Sequence, residues 1–139
     1  MKTTRKTAVP APALSLEQRL LAIEQARHAG RLEAIKRMRA RLLLLQAFMP
    51  AIEAAGIWLD MGALSDWGGK SLWISTGVLD HPAAARLVNV LVANGMTVHE
   101  REDYGGAAGS TLHLKKGRLL VTVSVDHRAV HLLEVPACA

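Results

Sequence analysis

Residues 110–125 read STLHLKKGRLLVTVSV, and this stretch decides the fold class. Apolar and polar side chains alternate along both halves, as they do in strands that bury one face. The Lys-Gly pair in the middle suits the tight turn of a β-hairpin. The stretch therefore predicts two antiparallel strands. The predicted cross-strand pairs are Leu114 with Leu119 and Leu112 with Val121.

Similar patterns on both sides extend this hairpin into a larger sheet. A helix is predicted at 81–94, because Asp80 can cap it, Pro82 suits its first turn, and an Asn-Gly pair stops it. The sequence thus predicts an α+β fold: strand, strand, helix and a four-strand meander, mostly antiparallel, with the helix on one face. The further predicted strands are IWLDM (57–61), SLWIST (71–76), MTVHER (96–101) and RAVHLLEV (128–135).

The alternation also divides the sheet into two faces. The face under the helix is predicted to hold Val98, Leu112, Leu114, Val121, Val123 and Leu132, with Leu87 and Leu91 of the helix. The opposite face is predicted to collect Arg101 and three histidines on adjacent strands, His99, His113 and His131. Three imidazoles can hold zinc, but exposed histidines are more often solvated, and we expect no metal or other cofactor.

The segment HERED, residues 99–103, places three carboxylates at the end of a strand. Glu100 and Glu102 point to the same side, which suits acid–base chemistry or a cation. A charged strand edge that discourages stray pairing is the simpler interpretation. No nucleophile or oxyanion loop accompanies these carboxylates, so we expect a protein that is not an enzyme.

A helical arm precedes the sheet. Ser15 and Gln18 form a capping box at its start, and Leu16, Leu20 and Ile23 form an apolar stripe. Gly30 weakens the helix, which predicts one kinked helix or two helices. The predicted divisions are a disordered basic tail at 1–13, a helical arm at 14–56 that ends in a glycine cap, and a compact α+β domain at 57–139.

The positive charge of the chain lies in the tail and the arm. Residues 1–56 hold ten Lys or Arg against four Asp or Glu, whereas residues 57–139 hold seven against eight. Such asymmetry predicts an anionic partner for the arm, with a solvated basic helix as the alternative. The predicted nucleic-acid or partner contacts are Arg31, Lys36, Arg37, Arg39 and Arg41.

The second half of the arm is apolar on nearly every side. Its apolar residues recur at steps of three and four, which is the spacing of a helix–helix seam. We expect this seam to form a homodimer, although a helix buried wholly within one chain is the competing interpretation. The residues predicted for self-association are Ile35, Met38, Leu42, Leu44, Leu45, Phe48 and Met49.

Two classes of protein are excluded by simple counts. The apolar run at 42–49 is far shorter than the ~20 residues that span a membrane. The only cysteine, Cys138, has no partner for a disulfide within the chain, which favours the reducing cytoplasm. We expect a nucleic-acid or nucleoprotein-binding accessory factor. The alternative is a phage- or plasmid-type inhibitor or adaptor that occludes a protein partner, such as a host defence complex.

Overall fold

The computed structural model confirms the α+β class. The chain forms two compact units, Met1–Glu33 and Ala34–Ala139. The predicted disordered tail lies outside the described residues, apart from Ala13. The structure describes residues 13–59, 62–76, 81–105 and 108–135.

Three helices and five strands make up the described fold. The helices are α1 (Leu16–Leu45), α2 (Met49–Ala54) and α3 (His81–Ala93), and a 3-10 turn at Gln46–Phe48 joins α1 to α2. The strands are β1 (Leu64–Trp67), β2 (Ser71–Ile74), β3 (Thr97–Tyr104), β4 (Gly109–Lys116) and β5 (Leu119–Val125).

Helix α1 begins and ends for local reasons. The capping box is confirmed: the Ser15 amide donates to Gln18 Oε1 at 2.9 Å, and the Gln18 amide donates to Ser15 Oγ at 3.2 Å. The helix passes through Gly30 as one element, because a single glycine costs only about 1 kcal/mol. The 3-10 turn follows where the ring of Pro50 would clash with the carbonyl group of Gln46 in a continuous α-helix.

The sequence predicted a first strand at 57–61, and this prediction is wrong: residues 57–59, the part of it that the structure describes, form no strand. Ile57 instead completes the C-terminal cap of α2, since its amide donates to the Ile52 carbonyl at 3.2 Å and the Gly56 amide donates to the Glu53 carbonyl at 2.9 Å. Gly56 has a positive φ of 75°, as this type of cap requires. Ile57 is buried as the apolar residue of the cap, and the first strand is β1.

The strands form one sheet in the order β1-β2-β5-β4-β3. Neighbouring strands are antiparallel except β2 and β5, which run parallel. The strand predicted at 128–135 is wrong: Val130–Leu132 is a 3-10 turn, and β2 occupies the place beside β5. Asp126 turns the chain away after β5, because its carboxylate accepts from the Arg128 amide at 2.9 Å and its carbonyl accepts from the Ala129 amide at 2.9 Å.

The predicted hairpin is confirmed, but its register is two residues off. Leu114 faces Val121 and Leu112 faces Val123, because the two loop residues are Gly117, whose φ is +58°, and the arginine after it. A shift of two residues keeps every side chain on its face, whereas a shift of one would reverse all of them. The predicted core is therefore correct on β4 and β5.

The helices cover one face of the sheet and form the core with it. The second half of α1 contributes Met38 and Leu45, which are 0% and 2% exposed, and Phe48 and Ile52 follow them into the same cluster. Val98 is only half-buried and Leu132 is 40% exposed, so Leu132 was wrongly predicted in the core. The other buried members include Leu72, Ile74, Leu87, Val88, Leu91, Leu112, Leu114, Leu119, Val121, Val123 and Val125.

Candidate functional sites

Arg41, predicted to contact a partner, is part of the fold itself. Its Nη1 atom lies 2.7 Å from Asp66 Oδ1 and 2.8 Å from the Ser71 carbonyl oxygen. Only 11% of the Arg41 side chain is exposed. The guanidinium group therefore ties α1 to β1 and β2, and a contact between Arg41 and a nucleic acid or other partner stays a prediction of the sequence.

The other predicted cations are closer to solvent. In the second unit Lys36, Arg37 and Arg39 are exposed. Arg37 reaches Asp66 only at 3.8 Å and keeps 62% of its side chain exposed. Lys36 and Arg39 also line a shallow groove with Ile35 and Leu42. These three cations lie within four residues of α1, with the buried Met38 between Arg37 and Arg39. Arg31 lies in the first unit.

The residues predicted for self-association divide into two groups. Met38, Leu45 and Phe48 are at most 5% exposed and pack into the chain's own core, so they have no apolar surface left for a second chain. Leu42 and Met49 are half-buried against the same core. Only Ile35 and Leu44, 41% and 44% exposed, remain on the surface. The side of α1 that carries Met38 and Leu45 therefore packs into the chain's own core.

The first unit carries the most exposed apolar surface of the arm. Leu16, Leu20 and Ile23 follow one another at steps of four and three, so they share one face of α1. Leu21 and Leu32, eleven residues apart, share another face. The sequence predicted the stripe of Leu16, Leu20 and Ile23, but it did not predict that these side chains are exposed. The exposed members, each between 46% and 73% exposed, are Leu14, Leu16, Leu20, Leu21, Ile23 and Leu32.

The three predicted histidines do not converge. His131 lies in the turn after β5, outside the sheet. His99 and His113 are close, with ring centroids 6.0 Å apart. The metal candidate that the sequence predicted therefore loses one member, and two histidines remain on the sheet face that the helices leave open.

A β-bulge at His99 changes which side chains join these histidines. Val98 pairs with Leu114, but Glu100 rather than His99 pairs with His113. The extra residue reverses the alternation beyond it. Arg101, predicted on the open face, turns to the core side, where 7% of its side chain is exposed and its Nε lies 2.9 Å from Asp103 Oδ1.

Glu100 and Glu102 take the place of Arg101 on the open face. One donor atom from each carboxylate and one nitrogen of His113 lie within 4.8 Å of one another. The even spacing of the two glutamates was visible in the sequence. A bulge leaves no clear signal in the sequence. Simple alternation from Val98 therefore placed the two glutamates on the opposite face of the sheet from His113.

Hydrogen bonds orient the acidic side chains of β3. The Tyr104 hydroxyl donates to Oε2 of Glu102. This bond raises the pKa of Tyr104, because the phenol proton is held by a carboxylate. On the core side, hydrogen bonds from Ser110 and then Arg101 hold the pKa of Asp103 below its usual value.

A line of hydrogen bonds fixes the ring of His113. Its Nδ1 atom lies 3.1 Å from Thr122 Oγ1, which lies 2.7 Å from Ser71 Oγ. Thr122 is 1% exposed and Ser71 is 8% exposed. The ring is thus anchored on its β5 side, away from the two glutamates on β3.

Comparison with protein-family models, curated proteins and solved structures finds no match for this chain. Among the residues that the structure describes, no helix has the length and apolar character needed to cross a membrane.

Proposed function

We propose that this chain is a non-enzymatic binding protein that pairs with a second copy of itself through the helical residues of its first unit. The observation that carries this proposal is the set of six large apolar side chains, Leu14 to Leu32, that are 46–73% exposed. Five of these six side chains lie on two faces of α1, and large exposed apolar surfaces mark sites of interaction.

The energetic case is that burial of these side chains stabilises both the helix and the pair. Full burial of one leucine or isoleucine side chain contributes roughly 1.5–3 kcal/mol. Most of the stability of a helix in a protein comes from tertiary packing of its apolar face rather than from helix propensity. Packing of the exposed leucines against a partner therefore supplies what the first unit lacks by itself.

The charge of the first unit favours a protein over a phosphate backbone. Residues 13–33 carry three arginines and three glutamates, so this stretch has no net charge with His28 neutral. A neutral, leucine-bearing helix suits a copy of itself, because a two-fold pair uses the same apolar patch twice and brings no net like charge together.

The first experiment measures dimer dissociation by sedimentation equilibrium. The double substitution Leu20→Glu and Ile23→Glu places two carboxylates in the proposed interface, and we expect at least a ~100-fold weaker dimer, since each tenfold is about 1.4 kcal/mol. The matched control is Ala22→Glu with Ala29→Glu, which adds the same charge to the same exposed helix, away from the leucine stripe formed by Leu16, Leu20 and Ile23.

Each outcome is decisive for self-association. A wild-type dimer that only the leucine-stripe variant splits supports the proposal. A wild-type chain that remains monomeric at about 50 µM contradicts the proposal, because this concentration is well above the dissociation constant of a stable dimer. Equal weakening by both variants also contradicts it, because charge alone would then explain the effect.

A second candidate function, nucleic-acid binding, rests on the exposed cations Lys36, Arg37 and Arg39 of the second unit. Such cations bind the phosphate backbone by releasing counterions, so the affinity falls steeply with salt. Arg41 is not part of this surface, because it holds Asp66. A role as an inhibitor that occludes another protein stays a prediction of the sequence.

We expect the triple substitution of these three cations by glutamine to weaken binding to a ~20-nucleotide oligonucleotide at least tenfold at low salt. The slope of log affinity against log salt should fall by about 2–3, the contribution of three phosphate contacts. A matched triple variant, Lys70→Gln, Arg86→Gln and Arg118→Gln, removes three exposed cations elsewhere in the second unit. Equal losses in the two variants, or no binding by the wild type, would contradict a specific role for α1.

A further inference from the structure

We propose that Glu100, Glu102 and His113 bind a divalent first-row transition-metal ion, with Zn²⁺ as the reference ion, on the open face of the sheet. This site is independent of the pairing proposed for the first unit. It arises from the bulge at His99, which brings two carboxylates of β3 to the imidazole of β4.

The distances suit a single ion. Zinc lies about 2.0–2.2 Å from nitrogen and carboxylate oxygen ligands, so two ligands of one ion are at most about 4.4 Å apart. The three donor atoms already lie within 4.8 Å of one another. Small side-chain rotations therefore close the site without any movement of the strands.

The hydrogen bonds of His113 leave the right nitrogen for a metal. Thr122 Oγ1, itself 2.7 Å from Ser71 Oγ, lies 3.1 Å from Nδ1 of His113 and occupies that ring nitrogen. Metal-binding histidines usually donate their other ring N–H to such a partner, and the proposed site uses the tautomer in which Nδ1–H donates to Thr122 Oγ1. In this tautomer Nε2 carries the lone pair that a metal requires.

The carboxylates are also arranged as ligands. Within the described residues, the cation nearest along the strand, Arg101, is directed to the other face and pairs with Asp103. Tyr104 occupies Oε2 of Glu102, which leaves Oε1 for an ion. Two carboxylates on one side of a strand repel each other, and a divalent cation between them removes that repulsion.

The donor set selects the class of ion. Imidazole nitrogen favours Zn²⁺ and its neighbours, whereas Mg²⁺ and Ca²⁺ prefer oxygen ligands alone. Three protein ligands leave at least one position for water or an incoming ligand, as in open zinc sites. Glu100 is exposed, so this position faces solvent.

The experiment is a calorimetric titration of the full, tag-free chain with Zn²⁺, with Mg²⁺ as the comparison ion. We expect one Zn²⁺ per chain and much weaker binding of Mg²⁺. Glu100→Gln and Glu102→Gln should each weaken Zn²⁺ binding at least tenfold, and His113→Asn should abolish it. The control His131→Gln removes an exposed histidine outside the cluster and should leave the affinity unchanged.

A fifth variant tests the orienting hydrogen bond without removing a ligand. Thr122→Val keeps the shape of the side chain but cannot accept from His113, and loss of such a partner typically weakens metal binding 10–100-fold. Circular dichroism verifies that each variant keeps the fold. The proposal would be overturned if no Zn²⁺ bound at a Zn²⁺ concentration of about 100 µM, which is far above the dissociation constants of structural zinc sites. The same loss in His131→Gln as in His113→Asn would also overturn it.

Discussion

Replacing Leu45 with alanine is expected to lower the free energy of unfolding by about 2–5 kcal/mol, the usual cost of removing a fully buried leucine. Leu45 is 2% exposed and lies in the core cluster that joins α1 to the sheet. Urea unfolding followed by tryptophan fluorescence measures this loss, because Trp58, Trp67 and Trp73 all lie in the second unit.

Leu43 provides the matched control for this experiment. It is a leucine of the same helix, two residues away, but 67% of it is exposed. Leu43→Ala should change the free energy of unfolding by less than about 0.5 kcal/mol, as surface substitutions usually do. Similar losses at the two positions would mean that the second half of α1 is not packed as described. Both variants are compared at one protein concentration, since association shifts apparent stability.

The second large effect is expected at Gly109, where β4 begins. A Cβ atom at this position would lie 2.2 Å from the Val125 carbonyl oxygen and 2.9 Å from the His127 amide nitrogen. The φ of Gly109 is also positive, at 75°. Because both neighbours are backbone atoms, Gly109→Ala must displace the end of β5, and we expect a loss of about 3–5 kcal/mol.

Gly117 separates the two causes of this loss. Its φ is +58°, but no atom lies within 4 Å of an added Cβ atom. Gly117→Ala therefore keeps the backbone strain and omits the clash, and we expect a loss of about 1–2 kcal/mol. Thermal or urea unfolding of the two variants checks the difference. A loss at Gly109 no larger than that at Gly117 would show that the two strands are not in such close contact there.

Local patterns in the sequence predicted most of the sheet and its helix. The alternation on β4 and β5 identified their buried side chains even though the register was two residues off, because an even shift preserves the faces. The single extra residue at His99 had the opposite consequence. It moved Arg101 to the core side and Glu100 to the open face, and alternation cannot show where such a residue lies.

Contacts between residues that are distant along the chain could not be predicted from local patterns in the sequence. The spacing of Met38 and Leu45 showed that one side of α1 is buried, but not that the covering surface is the chain's own sheet. The basic character of Arg41 was equally visible, but its partner Asp66 lies 25 residues away. The sequence therefore showed the charge of Arg41 but not the long-range ion pair that this charge forms.

The proposed function rests on one physical contrast within α1. From Ala34 onward α1 buries Met38 and Leu45 in the core of the second unit, although Ile35, Leu43 and Leu44 stay exposed. Between residues 14 and 32 every leucine and isoleucine is exposed. Burial of exposed apolar side chains is favourable, and the proposal names a second copy of the chain as the partner that buries them.

Hydrogen–deuterium exchange at two protein concentrations tests this claim most directly. If the first unit pairs with a second copy, amides of residues 16–33 should exchange at least about tenfold more slowly at ~100 µM than at ~1 µM, because opening then requires dissociation. Amides of β4 and β5 serve as the internal reference and should exchange equally at both concentrations. Exchange of residues 16–33 that does not change with concentration would contradict the proposal.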